Sequence, residues 1–186
     1  MTADEAVVAV LAALDAAGIP YMIVGSLASN FHGIPRSTLD ADFVVELGPN
    51  SLQRLGAALP AGLTVSPQGA FEAVTGTLRY LVEMAGSSFV CELFVRSDDA
   101  HDRERFSRRE HVGVLDRVAF VATAEDMIVT KLRWAREAHR AKDREDIRNI
   151  LAVRASDLDW TYLRRWALEH GTATLLDEIR ASLPEA

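Results

Sequence analysis

The sequence predicts an α/β core that is followed by a helical part. Three observations support this fold class. Short apolar runs bounded by glycine, proline or serine alternate with segments of helical periodicity as far as residue 121. From Thr123 onward only helical periodicity remains. The length of 186 residues and a hydrophobic content of 49% suit one globular unit, which we divide into a core at 1–121 and a helical region at 122–186.

The core alternates helices with short strands. Apolar residues at helical spacing predict a helix over 3–17, which Gly18 and Pro20 end. Strict alternation of apolar and acidic residues predicts a strand over 39–47. Two apolar runs on either side of Gly86 predict a hairpin. The other predicted helices are 27–31, 51–59 and 98–109, and the other strands are 21–24, 63–65, 77–84, 88–95 and one or two within 112–121.

The helical region opens with a capping pattern, in which Thr123 is followed three residues later by Asp126. The apolar stripe that follows includes Met127, Ile128 and Leu132, which lie on one helical face. Three further helices are predicted near 141–153, 160–170 and 172–183.

Composition excludes several classes of protein. The formal net charge of -7 argues against a generally basic nucleic-acid binder. Two arginine-rich segments, 103–109 and 133–144, are each either a solvated face or a docking site for a polyanion such as RNA. The single cysteine excludes an internal disulfide, and no apolar run approaches the roughly 18–20 residues of a membrane helix. Since the start of the chain also lacks a basic signal-peptide pattern, we expect a cytoplasmic protein without membrane contact.

A predicted strand-to-helix junction at Gly25–Ser26 suits a phosphate group. Glycine lets the backbone approach a ligand closely, and the free N–H groups at a helix start attract anions. The Ser26 hydroxyl is a further donor to a phosphate oxygen. Such junctions are common, so this signal is weak by itself.

Asp40 and Asp42 make the signal more specific. They are two residues apart on a predicted strand, so both carboxylates point to the same face. Neighbouring carboxylates repel, and a divalent cation such as Mg²⁺ relieves that repulsion while it binds substrate phosphates. The simpler interpretation is a charged, solvent-facing strand.

Glu92 lies within the apolar run 88–95, where a lone carboxylate is costly to desolvate unless it is paired or bound to metal. If its strand lies beside strand 39–47, Glu92 joins Asp40 and Asp42 at one site. Three carboxylates on neighbouring strands suit two-metal phosphoryl transfer. The alternative is an ion pair with Arg79 across the hairpin.

The motifs, taken together, resemble a known family. The blocks at 21–28, 32–33, 35–38 and 40–42 match the strand, Gly-Ser, helix, His-Gly, Arg-x-Thr and Asp-x-Asp order of the DNA polymerase beta-type nucleotidyltransferase superfamily. The blocks at 121–134 and 142–147 are similar to its small bacterial branch, which includes the AbiEii-type toxins and minimal nucleotidyltransferases. The resemblance covers residues 19–166 and implies a mixed, twisted sheet flanked by helices.

The resemblance also implies roles for individual residues. The implied metal ligands and catalytic carboxylates are Asp40, Asp42 and Glu92, where the superfamily more often has aspartate in the third place. The implied cofactor is Mg²⁺, with two ions per site and Mn²⁺ as the alternative metal. The implied nucleotide-binding residues are Gly25, Ser26, Arg36, Thr38 and Lys131.

Several side chains keep two interpretations at this stage. Arg36 is either a phosphate ligand or a structural partner of Asp40. Lys131 lies on an apolar stripe and either reaches the nucleotide or points inward to the three carboxylates. The segment 142–146 is either part of the site or a salt-bridged helix surface. Cys91 is expected in the core rather than as a nucleophile, and Trp134, Trp160 and Trp166 are expected in the core rather than as base-stacking surfaces.

The implied activity is transfer of a nucleoside monophosphate from a nucleoside triphosphate to a hydroxyl group of RNA, protein or a small molecule. The implied setting is the toxin of a toxin–antitoxin or phage-defence system, with a cognate partner protein. The alternative is a nucleotide-binding or interaction module of the same fold, such as a regulatory or antitoxin partner, that turns over weakly.

Overall fold

The computed structural model describes residues 1–138 and 140–183. Within these residues the chain forms eight helices and eight strands. The helices are α1 Ala3–Ala16, α2 Gly25–His32, α3 Ser51–Ala58, α4 Ala100–Arg108, α5 Ala124–Glu137, α6 Ala141–Arg154, α7 Trp160–Glu169 and α8 Ala173–Ala181. The strands are β1 Tyr21–Val24, β2 Asp40–Val45, β3 Leu63–Val65, β4 Ala70–Glu72, β5 Thr77–Met84, β6 Val90–Val95, β7 Glu110–Val114 and β8 Arg117–Val121.

The predicted α/β class is therefore confirmed, with three local differences. Helix α2 begins at Gly25, two residues before the predicted start. Residues 112–121 contain most of two strands, because Leu115 and Asp116 both have positive φ angles and reverse the chain. Strand β4 was missed, since its three residues are largely exposed and carry no alternating pattern.

All eight strands belong to one mixed sheet in the order β3-β5-β6-β2-β1-β8-β7, with β4 also paired to β5. Strand β2 is antiparallel to β1 and parallel to β6. This register aligns Val24 with Asp42, and Asp42 with Glu92. The pairing therefore places the two acidic strands side by side, which the sequence had left as a condition.

The two faces of the central strands have different chemistry, because successive side chains alternate. One face carries apolar side chains that are buried in the main core, among them Phe43, Cys91 and Leu93. The other face carries Asp40, Asp42 and Glu92 and borders a cleft. None of the described helices combines the length and the apolar character needed to span a bilayer.

A buried polar cluster joins α4, α5 and α7. The Asp126 carboxylate is fully buried and accepts hydrogen bonds from the hydroxyl groups of Thr123 and Tyr162. The Nε2 atom of His101 lies 3.3 Å from the same carboxylate. His101 is itself 1% exposed and packs against Trp166 and His170. Burial lowers the pKa of His101, and nearby Arg105 lowers it further, although Asp126 opposes both effects.

We predict that His101 lowers the stability of the protein below about pH 6.5, the ordinary histidine pKa, while the raised pKa of Asp42 acts in the opposite direction in wild type and variant alike. Folded His101 stays neutral where the unfolded histidine takes up a proton, so falling pH favours unfolding. The free energy of unfolding should fall by up to about 1.4 kcal/mol per pH unit for such a histidine. Urea denaturation at pH 7.5 and 5.5 measures this slope in the wild type and in His101→Gln.

The His101→Gln variant should lose less stability over that interval than the wild type does. The matched control is His111→Gln, which changes an exposed histidine on β7. If the free energy of unfolding of His101→Gln changes with pH as steeply as that of the wild type, His101 does not titrate as described.

Candidate functional site

Gly25 brings the start of α2 against the carboxylate of Asp42. Its φ angle is +62°, in the left-handed region that favours glycine. A Cβ atom at this position would lie 1.8 Å from Oδ2 of Asp42, so any side chain would displace that carboxylate. Helix α2 begins without a side-chain cap among the described residues, which leaves its first N–H groups available to an anion.

The carboxylates of Asp40 and Asp42 lie next to each other at the edge of the cleft. Thr38 donates a 2.6 Å hydrogen bond to Oδ1 of Asp40 and so fixes its orientation. Burial raises the pKa of Asp42 to about 7, and the negative charges of Asp40 and Glu92 contribute to the rise. This site therefore carries negative charge that the nearby lysines do not fully balance.

Glu92 lies beside Asp42 on the neighbouring strand, but its carboxylate already has a partner. Nη1 of Arg79 lies 3.0 and 3.1 Å from its two oxygens. The ion pair across the hairpin, which the sequence left open, is therefore present. Both side chains remain partly exposed, at 32% for Arg79 and 19% for Glu92.

Arg36 connects the phosphate side of the site to the C-terminal helices. Its Nη2 atom donates a 2.8 Å hydrogen bond to the hydroxyl of Ser26. Its Nε and Nη2 atoms also bind both oxygens of Asp146, at 2.7 and 2.9 Å. The interpretation of Arg36 as a structural partner of Asp40 is wrong, because its guanidinium binds Asp146 on α6 instead.

Lys131 is also held by α6. Its Nζ atom lies 2.7 Å from Asp146 and 3.2 Å from Asp143, and the side chain is 6% exposed. It does point inward, yet its partners are these two aspartates rather than the strand carboxylates. The idea of a solvated surface at 142–146 is wrong for Asp143 and Asp146, which are 4% and 2% exposed.

A sequence signal for these two aspartates does exist. Asp143 and Asp146 are three residues apart, and Ile147 and Ile150 continue the same helical face. Acidic residues on the apolar stripe of a helix indicate buried ion pairs rather than a wet surface.

A cleft with an enclosed volume of about 100 Å³ lies between the sheet and α5. Of the eight sequence-predicted site residues, six line it, whereas Arg36 and Thr38 are not among its lining residues. The six are Gly25, Ser26, Asp40, Asp42, Glu92 and Lys131. Lys142 and Asp143, from the segment that the sequence left open, line it too, as do Arg105, Trp134 and Arg140, which the sequence did not assign to the site.

A divalent cation fits the Asp40–Asp42 pair. Carboxylate oxygens are the ligands that Mg²⁺ prefers, and the pair carries excess negative charge beside the anion-binding start of α2. Among the described residues no three His, Cys, Asp or Glu side chains are arranged to hold a metal ion by themselves. The pair thus suits a cation that also takes ligands from a substrate, with Glu92 held aside by Arg79.

The two arginine-rich segments are largely balanced by acids within the described chain. Six of their eight arginines face a carboxylate, namely Arg105, Arg108, Arg133, Arg136, Arg140 and Arg144. Arg103 and Arg109 donate to backbone carbonyl groups. This pairing argues against an extended basic surface for RNA.

The remaining core expectations hold in part. Cys91 and Trp166 are buried, as expected. The prediction that Trp134 lies in the core is wrong, because this side chain is partly exposed and lines the cleft.

No protein-family model matches the sequence, and no curated protein matches it either. Solved structures do share its architecture. The solution structure of the antibiotic-resistance factor ANT(2'')-Ia aligns with a TM-score of 0.62 at 15% identity, over 96% of each chain. A nucleotidyltransferase-like antigenic protein from Paracoccidioides brasiliensis aligns with a TM-score of 0.54 at 17% identity, over 98% of this chain and 94% of that one. JHP933 from Helicobacter pylori gives 0.50 at 18%, over 96% and 94%. At these identities the likeness establishes the fold alone, and that fold is the one found in nucleotidyltransferases.

Proposed function

We propose that this protein is an Mg²⁺-dependent nucleotidyltransferase that moves a nucleoside monophosphate from a nucleoside triphosphate to a hydroxyl acceptor. One observation supports this above all. The Asp40–Asp42 pair faces the open start of α2, where Ser26 supplies a hydroxyl group that Arg36 holds in place, and Lys131 lines the same cleft. On this fold, carboxylates beside groups that bind anions suit a substrate made of a metal ion and a triphosphate.

The chain's own donors bind the triphosphate. The N–H groups at the start of α2 and the hydroxyl of Ser26 donate hydrogen bonds to phosphate oxygens. Arg36 orients the Ser26 hydroxyl, and Lys131 adds positive charge from α5. Because Asp146 holds both cations, they keep their positions before the substrate arrives.

The carboxylates complete the site. Asp40 and Asp42 would hold the divalent cations, with Glu92 as a third ligand. When bound, such cations neutralise phosphate charge and lower the pKa of the attacking hydroxyl. Glu92 can also take the proton of that hydroxyl once Arg79 releases it.

The acceptor is a hydroxyl group on a protein or a small molecule in preference to a long RNA, because the arginine-rich segments are mostly paired with acids. A small-molecule acceptor is in keeping with the shared fold of ANT(2'')-Ia, which is an antibiotic-resistance factor. The role of a toxin with a cognate antitoxin is the narrower proposal, and its support is the resemblance of residues 19–166 to the AbiEii-type branch.

We predict that Mg²⁺ and a nucleoside triphosphate together stabilise the wild type. At 100 times the dissociation constant the gain is about 2.7 kcal/mol, or roughly 5–11 °C in melting temperature for a chain of this size. A thermal-shift assay with each of the four triphosphates measures it. The shift should vanish with a chelator and in the Asp40→Asn/Asp42→Asn double variant.

The matched control is Glu83→Gln, which removes an exposed strand carboxylate on β5. It should keep the full shift. If the double variant shifts as the wild type does, the carboxylate pair does not carry the metal–triphosphate site.

We predict that Ser26→Ala weakens binding of the Mg²⁺–triphosphate complex by roughly 10-fold, because a hydrogen bond to a charged oxygen is lost. Isothermal titration calorimetry measures the dissociation constant. Ser29→Ala is the matched control, since Ser29 is buried on the same helix and donates only to the Gly25 carbonyl among the described residues. Equal effects of the two substitutions would contradict the role of Ser26.

The alternative is a weakly active binding or interaction module, with a regulatory or antitoxin role toward a partner protein. The Arg79–Glu92 ion pair favours it, because it occupies the third carboxylate.

Turnover separates the two functions. We predict that the wild type releases pyrophosphate from Mg²⁺–triphosphate when a cell extract supplies acceptors, and that Asp42→Asn lowers the rate by roughly 100-fold or more. Any toxicity on expression should be lost in parallel. Nucleotide binding without pyrophosphate release, or toxicity that survives Asp42→Asn, would favour the module.

A further inference from the structure

Strand β7 lies at one end of the sheet and is paired along one side only. The sheet order places β8 on that side, and no described strand lies on the other. Its register with β8 runs from Glu110 to Val114 without a bulge. The strand contains no lysine or proline, the residues that commonly keep an edge strand from pairing. The opposite end of the sheet is protected by length, because β3 and β4 have only three residues each.

The hairpin turn determines which backbone groups of β7 face outward. The turn has two residues, 115–116, so Val114 and Arg117 form the hydrogen-bonded pair that closes it. Hydrogen-bonded and non-hydrogen-bonded pairs alternate along an antiparallel ladder. The backbone N–H and C=O groups of His111 and Gly113 therefore point away from β8, where a further strand can bind them.

We propose that β7 pairs with β7 of a second copy of this chain, antiparallel about a two-fold axis at Val112. This register sets Val112 opposite its own copy, His111 opposite Gly113, and Glu110 opposite Val114. The outward-facing positions then meet each other, and each His111–Gly113 pair exchanges two hydrogen bonds. The contact uses the same surface of both copies, so the assembly closes as a dimer. Because β7 does not line the cleft, the inference is independent of the proposed function.

The side chains on one face of β7 fit this register. A Cβ atom at Gly113 would have no neighbour within 4 Å, and Val118, which pairs with Gly113, is 65% exposed. His111 of the second copy fills that space and covers Val118. The same imidazole packs on Phe120 of its own chain, with ring centroids 3.8 Å apart. Two largely apolar rows, related by the axis, thus cross the interface.

The charges on the other face are complementary. Glu110 is the only acidic residue of β7, and in this register it lies opposite Val114 of the second copy. Val114 pairs with Arg117 on β8, so a glutamate of one copy and an arginine of the other lie on the same face, two strands apart. Arg117 also lies 2.7 Å from Asp15 of its own chain, and Glu110 adds a second acid beside it.

Neighbouring registers lose this fit. A shift that centres the axis on Gly113 places Glu110 opposite Asp116, and like charges directly opposite destabilise a strand pair. A shift that centres the axis on His111 sets two imidazoles opposite each other and leaves Val118 uncovered. The register about Val112 avoids both faults.

Sedimentation equilibrium of the full chain, without metal or nucleotide, measures the association. The wild type should show a reversible monomer–dimer equilibrium between micromolar and millimolar concentration. Glu110→Lys, which sets like charges near Arg117 in two symmetric places, should weaken the dimer by roughly 10-fold. Glu145→Lys is the matched control, because it makes the same charge change at an exposed site on α6, and it should leave the equilibrium unchanged.

Gly113→Pro tests the backbone bonds themselves. Proline at this position removes an outward-facing N–H group but none of the bonds to β8, so the dimer should be lost while the fold remains. Circular dichroism checks that the variant is folded, and Glu110→Lys tests the same edge without a change of backbone.

Cysteine cross-linking tests the register. The two copies of residue 112 form a non-hydrogen-bonded pair with Cα atoms about 4.5 Å apart, which a disulfide can bridge. Mild oxidation should therefore cross-link Val112→Cys. It should not cross-link His111→Cys, whose copies are offset by two residues and lie beyond the roughly 7 Å limit. The native Cys91 is buried and adds no background.

Each negative result overturns a defined part of the proposal. A wild type that stays monomeric over the whole concentration range overturns the dimer. A dimer that withstands both Glu110→Lys and Gly113→Pro is not held by the edge of β7. Cross-linking of His111→Cys in place of Val112→Cys overturns the register.

Discussion

The geometry of the cleft depends on the ion pairs that the Asp146 carboxylate makes with Arg36 and Lys131. This carboxylate is 2% exposed and binds Arg36 through two hydrogen bonds and Lys131 through a 2.7 Å contact. These three residues come from the loop before β2, from α5 and from α6, so a single anion fixes three walls of the site. Loss of one partner from such a buried group typically costs about 3–5 kcal/mol, because the others keep an uncompensated charge.

This arrangement also decides where negative charge remains unbalanced. The acids of α6 neutralise Lys131 and Arg36, so neither cation is free to neutralise the strand carboxylates. Asp40 and Asp42 therefore repel each other in a partly dry cleft, which is reflected in the raised pKa of Asp42. Under the proposed function, a divalent cation that arrives with the triphosphate would relieve this repulsion. Helical acids and strand acids thus differ: the first bind the protein's own cations, and under the proposed function the second would bind a divalent cation.

Local periodicity explains what the sequence predicted well. The shared face of Asp40 and Asp42 follows from strand alternation, and the position of Glu92 beside them follows once β2 and β6 pair. The spacing of Asp143 and Asp146 indicates buried acids on α6, but it does not show that Arg36 and Lys131 are their partners. Arg36 and Asp146 are 110 residues apart, and their contact depends on how α6 packs against α2. Trp134 was misjudged for the same reason, because helical periodicity does not show which side of α5 borders a cleft.

The Arg79–Glu92 pair differs physically from the buried network and need not oppose catalysis. Partly exposed ion pairs contribute only about 0–1 kcal/mol, since water competes for both charges. A divalent cation at Asp42 attracts the neighbouring carboxylate more strongly than one guanidinium does, because it carries twice the charge. The extra methylene of glutamate gives the carboxylate reach toward either partner. Under the proposed function, the ion pair would be the position of Glu92 before the metal binds, and the longer side chain would be compatible with turnover.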